Sequence, residues 1–184
     1  LSKEGGDRHG DFRFRPGSMP PLFGATETVL IVDDDPHAAN LLTLTLQDEG
    51  YECTTATSGA EARELLAERP FAVALVDVLM PGESGLELVE DLIGKYPDLA
   101  VVMVTGVDDP SIADLALDSG AYGYIVKPFR TSEMLITVAN AGRRRCLEIE
   151  RRVQRERVER LLADRTAELG DVREQLKPPG ESPP

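Results

Sequence analysis

The sequence predicts an α/β fold: a doubly wound, five-stranded parallel sheet followed by a long C-terminal helix. Three observations predict it. Five short apolar runs alternate with amphipathic stretches between residues 27 and 142. Several runs have no polar position on either face, as expected when helices cover both sides of a parallel sheet. Beyond Pro128 there is no proline until Pro178, and the segment between is rich in Arg, Glu and Leu.

The runs are Val29–Val32, Tyr51–Ala56, Ala72–Val76, Ala100–Val104 and Tyr122–Val126. Each intervening stretch opens on a helix-start signal. Asp35-Pro36 offers an N-cap and a proline at the first helical position. Ser58 with Glu61, and Ser84 with Glu87, have capping-box spacing. Asp109-Pro110 repeats the cap-and-proline signal before a fourth helix. The first helix is expected to bury Leu41, Leu42, Leu44 and Leu46, the second Ala62, Leu65 and Leu66. Gly50, Gly94 and Gly120 stand where helices should stop in a left-handed conformation. Residues 130–142 form the fifth helix, with Met134, Leu135, Ile136 and Val138 apolar. Right-handed crossovers bring the carboxyl ends of all strands to one edge, where such sheets carry their function.

The flanks read differently. Residues 1–25 combine eight Gly and Pro residues with alternating charge and no apolar period, which predicts a disordered leader. The chain begins at Leu1 rather than Met, as expected either of a fragment of a longer protein or of a chain that carries added terminal residues. Residues 178–184 are expected to be a disordered tail. Arg143–Lys177 carries opposite charges at helical spacings, such as Glu148 with Arg151 and Arg152, and Glu156 with Arg160. A continuous helix of about 45 residues would be about 68 Å long. Val158, Leu162, Arg165, Leu169, Val172 and Leu176 follow a 3–4 spacing, with Cys146, Ile149 and Val153 in another register. This favours a parallel dimeric coiled coil over a solvated single helix or signalling linker.

Charge and composition exclude several classes. The 184 residues carry a net charge of −13. Residues 1–142 hold nine Lys/Arg against 24 Asp/Glu, whereas residues 143–184 hold eleven against nine. An acidic domain is a poor partner for nucleic acid. Arg143-Arg144-Arg145 has adjacent carboxylates and no helix-turn-helix around it, so direct DNA binding is not expected. No apolar run is long enough to span a membrane and no signal core opens the chain, so a soluble cytoplasmic protein is expected. The two cysteines, Cys53 and Cys146, form no metal or disulfide pattern, and His9 and His37 read as surface residues.

Four of the five strand ends carry a polar group. Asp33, Asp34 and Asp35 follow the first run, Asp77 the third, Thr105-Gly106 the fourth and Lys127-Pro128 the fifth. Asp35 reads as a helix cap. If Asp33, Asp34 and Asp77 converge, carboxylates ~4 Å apart repel by about 4 kcal/mol per pair at an effective dielectric of ~20. Such a cluster needs a proton or a cation, and a hard divalent ion that keeps some waters, Mg²⁺, fits it.

With these residues in view, the chain resembles the receiver domain of two-component response regulators over about residues 26–142. The matching segments are Val29-Leu30-Ile31-Val32-Asp33-Asp34-Asp35-Pro36, Val76-Asp77-Val78-Leu79-Met80-Pro81-Gly82 with Gly85, Thr105-Gly106, and Tyr124-Ile125-Val126-Lys127-Pro128-Phe129. The resemblance implies a flavodoxin-like sheet of order 2-1-3-4-5. It implies Asp77 as phosphoacceptor from a histidine kinase or phosphotransfer protein, with no conventional enzyme activity. Mg²⁺ would be held by Asp34, Asp77 and the Leu79 backbone carbonyl, with Asp33 acting mostly through water. Lys127 would pair with the phosphoryl oxygens, and the Thr105 hydroxyl would bond the new phosphoryl group. Tyr124 would then rotate inward, shifting the face formed by the fourth helix, fifth strand and fifth helix. The family often has a cis bond at the position of Lys127-Pro128. Leu79 and Val107 are apolar where the family's hydrolytic water passes, which predicts slow self-dephosphorylation.

One enzyme reading competes. A haloacid-dehalogenase-like phosphatase also has an apolar strand ending in Asp-x-Asp, here Asp33 and Asp35, then a strand-end Thr and a Lys, with Asp33 as nucleophile. It requires a further acidic pair, and none follows Lys127. A phosphorylation-independent adaptor is a third reading, disfavoured by the intact acidic set.

Overall fold

A computed structural model describes residues 27–106, 114–115 and 118–175. The expected leader, the tail, the Asp109-Pro110 start signal and Val107 lie outside the described residues. The elements are β1 (Thr28–Val32), α1 (Pro36–Asp48), β2 (Glu52–Ala56), α2 (Gly59–Glu68), β3 (Val73–Asp77), α3 (Gly85–Lys95), β4 (Ala100–Thr105), β5 (Gly123–Val126) and a C-terminal helix, Thr131–Gln175. All four strand pairings are parallel, in the order β2-β1-β3-β4-β5.

The pleat of the central strands divides the core in two. Leu30 and Val32 of β1, with Ala74 and Val76 of β3, face α2 and α3 through Ala62, Leu66, Leu88, Val89 and Leu92. Val29, Ile31, Val73 and Leu75 point the other way, onto Ala39, Leu42 and Leu46 of α1 and Met134, Val138 and Ala141 of the C-terminal helix. Every residue of β3 and β4 is buried, which explains why these runs show no polar alternation.

Several expectations are corrected in detail. Leu42 and Leu46 are buried, but Leu41 and Leu44 are exposed. The stripe at Ala39, Leu42 and Leu46 has the i, i+3, i+7 spacing of one helix face, and Leu41 and Leu44 fall on the next. Ile136 is likewise exposed, while Met134 and Val138 are fully buried. Gly50 and Gly120 take positive φ, but Gly94 lies inside α3, which runs on to Lys95 and stops before Pro97. Ser58 and Ser84 do cap their helices, accepting from Glu61 N and Leu86 N. Glu61 closes its reciprocal bond onto Thr57 rather than Ser58.

The C-terminal helix is continuous for 45 residues. Below its buried turns it is tied to the lower edge of the sheet by polar contacts. Arg144 stacks 4.9 Å over the Tyr122 ring and pairs with Glu148, which also accepts from the Tyr122 hydroxyl. Arg145 donates to the Asp98 carbonyl and Arg152 to the Asp98 carboxylate. The expected Glu156–Arg160 pair is present at 3.6 Å. Glu148, expected opposite Arg151 and Arg152, instead hydrogen-bonds Arg144 and Tyr122.

Candidate functional site

Because all five strands run parallel, the residues that end β1, β3 and β4 and follow β5 meet at one edge. The Asp33 amide still donates to Ala56 O (3.0 Å), extending the β1–β2 ladder by one residue. The Val78 amide donates to Val104 O (2.8 Å) and the Lys127 amide to Thr105 O (2.7 Å), so the chain on both sides of the edge is pinned. The peptide between Lys127 and Pro128 is cis.

Carboxylate oxygens of Asp33, Asp34 and Asp77 lie within 4.8 Å of one another. Asp33 and Asp77 are buried, at 1% and 7% exposure, and Asp34 opens to solvent. The Lys127 Nζ donates to Asp33 Oδ2 and to Asp77 Oδ2, both at 2.7 Å. The remaining oxygens are tied to backbone: Asp33 Oδ1 accepts from Asp35 N (2.9 Å) and Asp77 Oδ1 from Leu79 N (3.0 Å). Burial works against the Lys127 ammonium, yet the hydrogen bonds to Asp33 and Asp77 outweigh it and raise its pKa above the ordinary lysine value.

One ammonium cannot balance three carboxylates. The donor set is all hard oxygen, and the exposed Asp34 leaves it open on one side. Such a set fits a Mg²⁺-like ion that keeps part of its water shell. Among the described residues this is the one group of three or more Asp, Glu, His or Cys side chains close enough to share a metal.

Asp33, Asp34, Asp77 and Lys127 are therefore together, as the sequence reading expected. Thr105 is fully buried at the end of β4, next to Val104, the residue that pairs with Asp77. Tyr124 lies in β5 opposite Met103 and is 38% exposed. Leu79 is 57% exposed, and its Cδ1 lies 3.9 Å from where a Cβ on Gly106 would stand, so this side chain leans toward the end of β4. Asp35 turns away from the cluster: its carboxylate accepts from His37 N and caps α1. The Asp33-x-Asp35 pair that a haloacid-dehalogenase-like reading requires thus does not share one site.

Two contacts of the site's frame were not announced by the sequence, although Gly85 itself stands among the matching segments. Gly85 seats against the backbone of the acidic edge, where a Cβ would fall 2.0 Å from Asp77 O. Arg63 of α2 grips Glu83 in the loop after Asp77. Both depend on contacts between distant segments, which no local spacing announces.

Comparison with known proteins agrees with this architecture. Residues 29–139 match the response regulator receiver domain. Over 124 residues the chain is 37% identical to the response regulator protein PilR of Pseudomonas aeruginosa, covering 67% of this chain and 28% of that one. A CheY-like receiver domain protein from Methanospirillum hungatei superposes with a TM-score of 0.63 at 29% identity, over 67% of this chain and 99% of that one. The response regulator TrrA of Thermotoga maritima, solved in complex with Mg²⁺ and BeF, gives a TM-score of 0.58 at 31% identity, over 63% of this chain and 99% of that one. The chain spans about a quarter of the length of the curated relatives it matches, 28% and 24% of the first two. With a match that runs from β1 into the C-terminal helix and takes in each strand end of the acidic edge, this chain belongs to the receiver domain family of two-component response regulators.

Proposed function

We propose that this chain is a phosphorylation-controlled switch in which Asp77 accepts a phosphoryl group from the phosphohistidine of a histidine kinase or phosphotransfer protein. The observation that carries the reading is the meeting of three carboxylates and one lysine ammonium at a single sheet edge. Family membership supports it, as does the Mg²⁺ and BeF complex of TrrA.

Asp33, Asp34, Asp77 and the Leu79 carbonyl would hold Mg²⁺, which supplies charge neutralisation for the incoming phosphoryl group. An Asp77 oxygen attacks phosphorus while the P–N bond to the donor imidazole breaks, its electron pair returning to the ring. Carboxylates are ionised at neutral pH, so no general base is needed. Lys127 exchanges its carboxylate partners for phosphoryl oxygens. Thr105 and Tyr124 read the new group, and the β4–β5 face shifts. The chain modifies itself rather than turning over a free substrate, and it acts in the cytoplasm.

The output runs through the C-terminal helix, as a parallel dimer. The exposed Leu147, Val158, Leu161, Leu162 and Leu169 fall within one ~100° arc at 3.6 residues per turn. Arg165 interrupts that stripe, so the seam is imperfect. In proteins most helical stability comes from packing an apolar face rather than from propensity, which favours a second copy against this exposed stripe. Sedimentation of the full chain tests this: Leu162→Glu should convert a dimer to a monomer, and a wild-type monomer would end the dimer reading.

The phosphorylation reading is tested by treating the chain with Mg²⁺ and acetyl phosphate, then trapping and mapping the modified residue by mass spectrometry. Modification at Asp77 is expected. Modification at Asp33 would point to the phosphatase chemistry, and none to an adaptor that works without phosphate.

A further inference from the structure

The loop between Asp77 and Gly85 carries Leu79, whose carbonyl is assigned to the metal above. Its base is closed by backbone: Gly85 N donates to Val78 O at 3.1 Å. Its outer part is held by a side chain from elsewhere. Arg63 of α2 donates through Nη1 to Glu83 Oε2 (2.7 Å) and through Nη2 to Glu83 Oε1 (2.6 Å). Its Nε donates to Asp91 Oδ2 of α3 (2.8 Å), and Lys95 holds the other Asp91 oxygen at 2.8 Å. One guanidinium thus joins α2, the loop and α3.

The seat for Glu83 is built into α2. Gly59, one helical turn before Arg63, opens the helix, and a Cβ there would fall 2.3 Å from Glu83 Oε2. A planar, two-point grip constrains the orientation of its partner, which a lysine ammonium does not. The Glu83 carboxyl is held below the usual carboxylate range by its bonds to Arg63. About a third of each of these three side chains stays exposed, so the grip rests on its two-point geometry rather than on burial.

We infer that Arg63 is a positioning residue for the divalent-ion site, holding the Asp77–Gly85 loop through Glu83 in the form that presents the Leu79 carbonyl. The inference rests on the receiver reading above and deepens it. A loop ordered before the ion arrives does not lose that freedom on binding, so affinity rises. Simple electrostatics predicts the opposite sign: deleting a positive charge near the site should tighten cation binding.

The test is Mn²⁺ binding by the full chain, read by electron paramagnetic resonance, for wild type, Arg63→Met, Arg63→Lys and Glu83→Gln. All three variants should bind Mn²⁺ about tenfold more weakly. Arg63→Lys, which keeps the charge and should keep the fold, must fail alongside Arg63→Met. In metal-free protein, hydrogen exchange at the amides of Leu79, Met80, Gly82 and Glu83 should speed up in Arg63→Lys, while exchange in β1 and β3 stays unchanged. Arg63→Lys binding Mn²⁺ as tightly as wild type, Arg63→Met binding it more tightly, or unchanged loop exchange would overturn the inference and leave the receiver reading intact. Wild type failing to bind Mn²⁺ would overturn the metal reading itself, and the inference with it.

Discussion

A divalent ion held as proposed would neutralise the same carboxylates as Lys127, so replacing Lys127 by Met should have an effect that depends on metal. The Nζ lies 2.7 Å from Asp33 Oδ2 and 2.7 Å from Asp77 Oδ2, and both acids are buried. Two such oxygens are ~5 Å apart, and at an effective dielectric of ~20 their repulsion is about 3 kcal/mol. In EDTA, Lys127→Met should therefore lose about 3 kcal/mol of unfolding free energy. In saturating Mg²⁺ the ion takes over the neutralisation, and the loss should fall below about 1 kcal/mol. By linkage, that difference of about 2 kcal/mol corresponds to roughly 30-fold tighter Mg²⁺ binding by the variant. Urea unfolding followed by circular dichroism in both buffers measures it. Arg160→Met serves as the control, because its guanidinium is exposed and pairs with Glu156 on the C-terminal helix, away from the acidic edge. An equal loss for Lys127→Met with and without Mg²⁺ would refute the competition between lysine and metal.

Three further outcomes follow from single contacts. Gly85→Ala should cost at least about 3 kcal/mol, because its Cβ would meet backbone, 2.0 Å from Asp77 O and 2.6 Å from Val78 Cα, rather than a yielding side chain; a loss under about 1 kcal/mol in urea would show that the close approach is not real. Burial, then the charge of Glu52, pushes the Cys53 thiol up to about 11. The thiolate is the reactive form, so at pH 8 iodoacetamide should alkylate Cys53 in the folded Cys146→Ser variant about a hundredfold more slowly than in guanidinium, with reactivity rising toward pH 11. Equal rates in the two states would contradict the burial. Leu79→Asn puts a polar group where an exposed leucine leans toward Gly106, and phosphate loss from the phosphorylated chain, timed by ³²P release, should quicken; an unchanged or slower rate counts against a water path there.

The fold was legible because its signals are local. Apolar runs marked β1, β3 and β4, which are buried on both faces, and Asp35, Ser58 and Ser84 are all observed as helix caps. Parallel topology then gathers strand ends, so naming the residues after each run was enough to name Asp33, Asp34, Asp77 and Lys127. What stayed hidden was tertiary. Four leucines crowd α1, and only the angle at which the helix leaves β1 decides that Leu42 and Leu46 are buried while Leu41 and Leu44 are not. Arg63 and Glu83 stand 20 residues apart, and each reads alone as a solvated charge. Helical spacing correctly paired Glu156 with Arg160, where the helix meets nothing else, but failed at Glu148 and Arg152, where Tyr122 and Asp98 of the sheet's lower edge compete for the same groups.

That lower edge gives the architecture its logic. β4 begins just after Asp98 and ends at Thr105; β5 begins just after Tyr122 and leads into Lys127. The strands that carry the hydroxyl and the ammonium at one end are therefore the same strands whose other ends hold the C-terminal helix, through Asp98 to Arg145 and Arg152 and through Tyr122 to Arg144 and Glu148. Between the two ends the helix packs Met134, Val138 and Ala141 directly onto the sheet face. Apolar packing alone would fix the height of the helix but leave its rotation weakly determined, since small apolar groups tolerate sliding. Directional bonds at Asp98 and Tyr122 remove that freedom. The 45-residue helix is thus anchored at two levels over its first 22 residues. Were β4 or β5 to tilt at the acidic edge, as the proposed switch requires, the tilt would act on this anchored base, and the exposed length beyond Arg152 would turn a small rotation there into a large displacement at its far end.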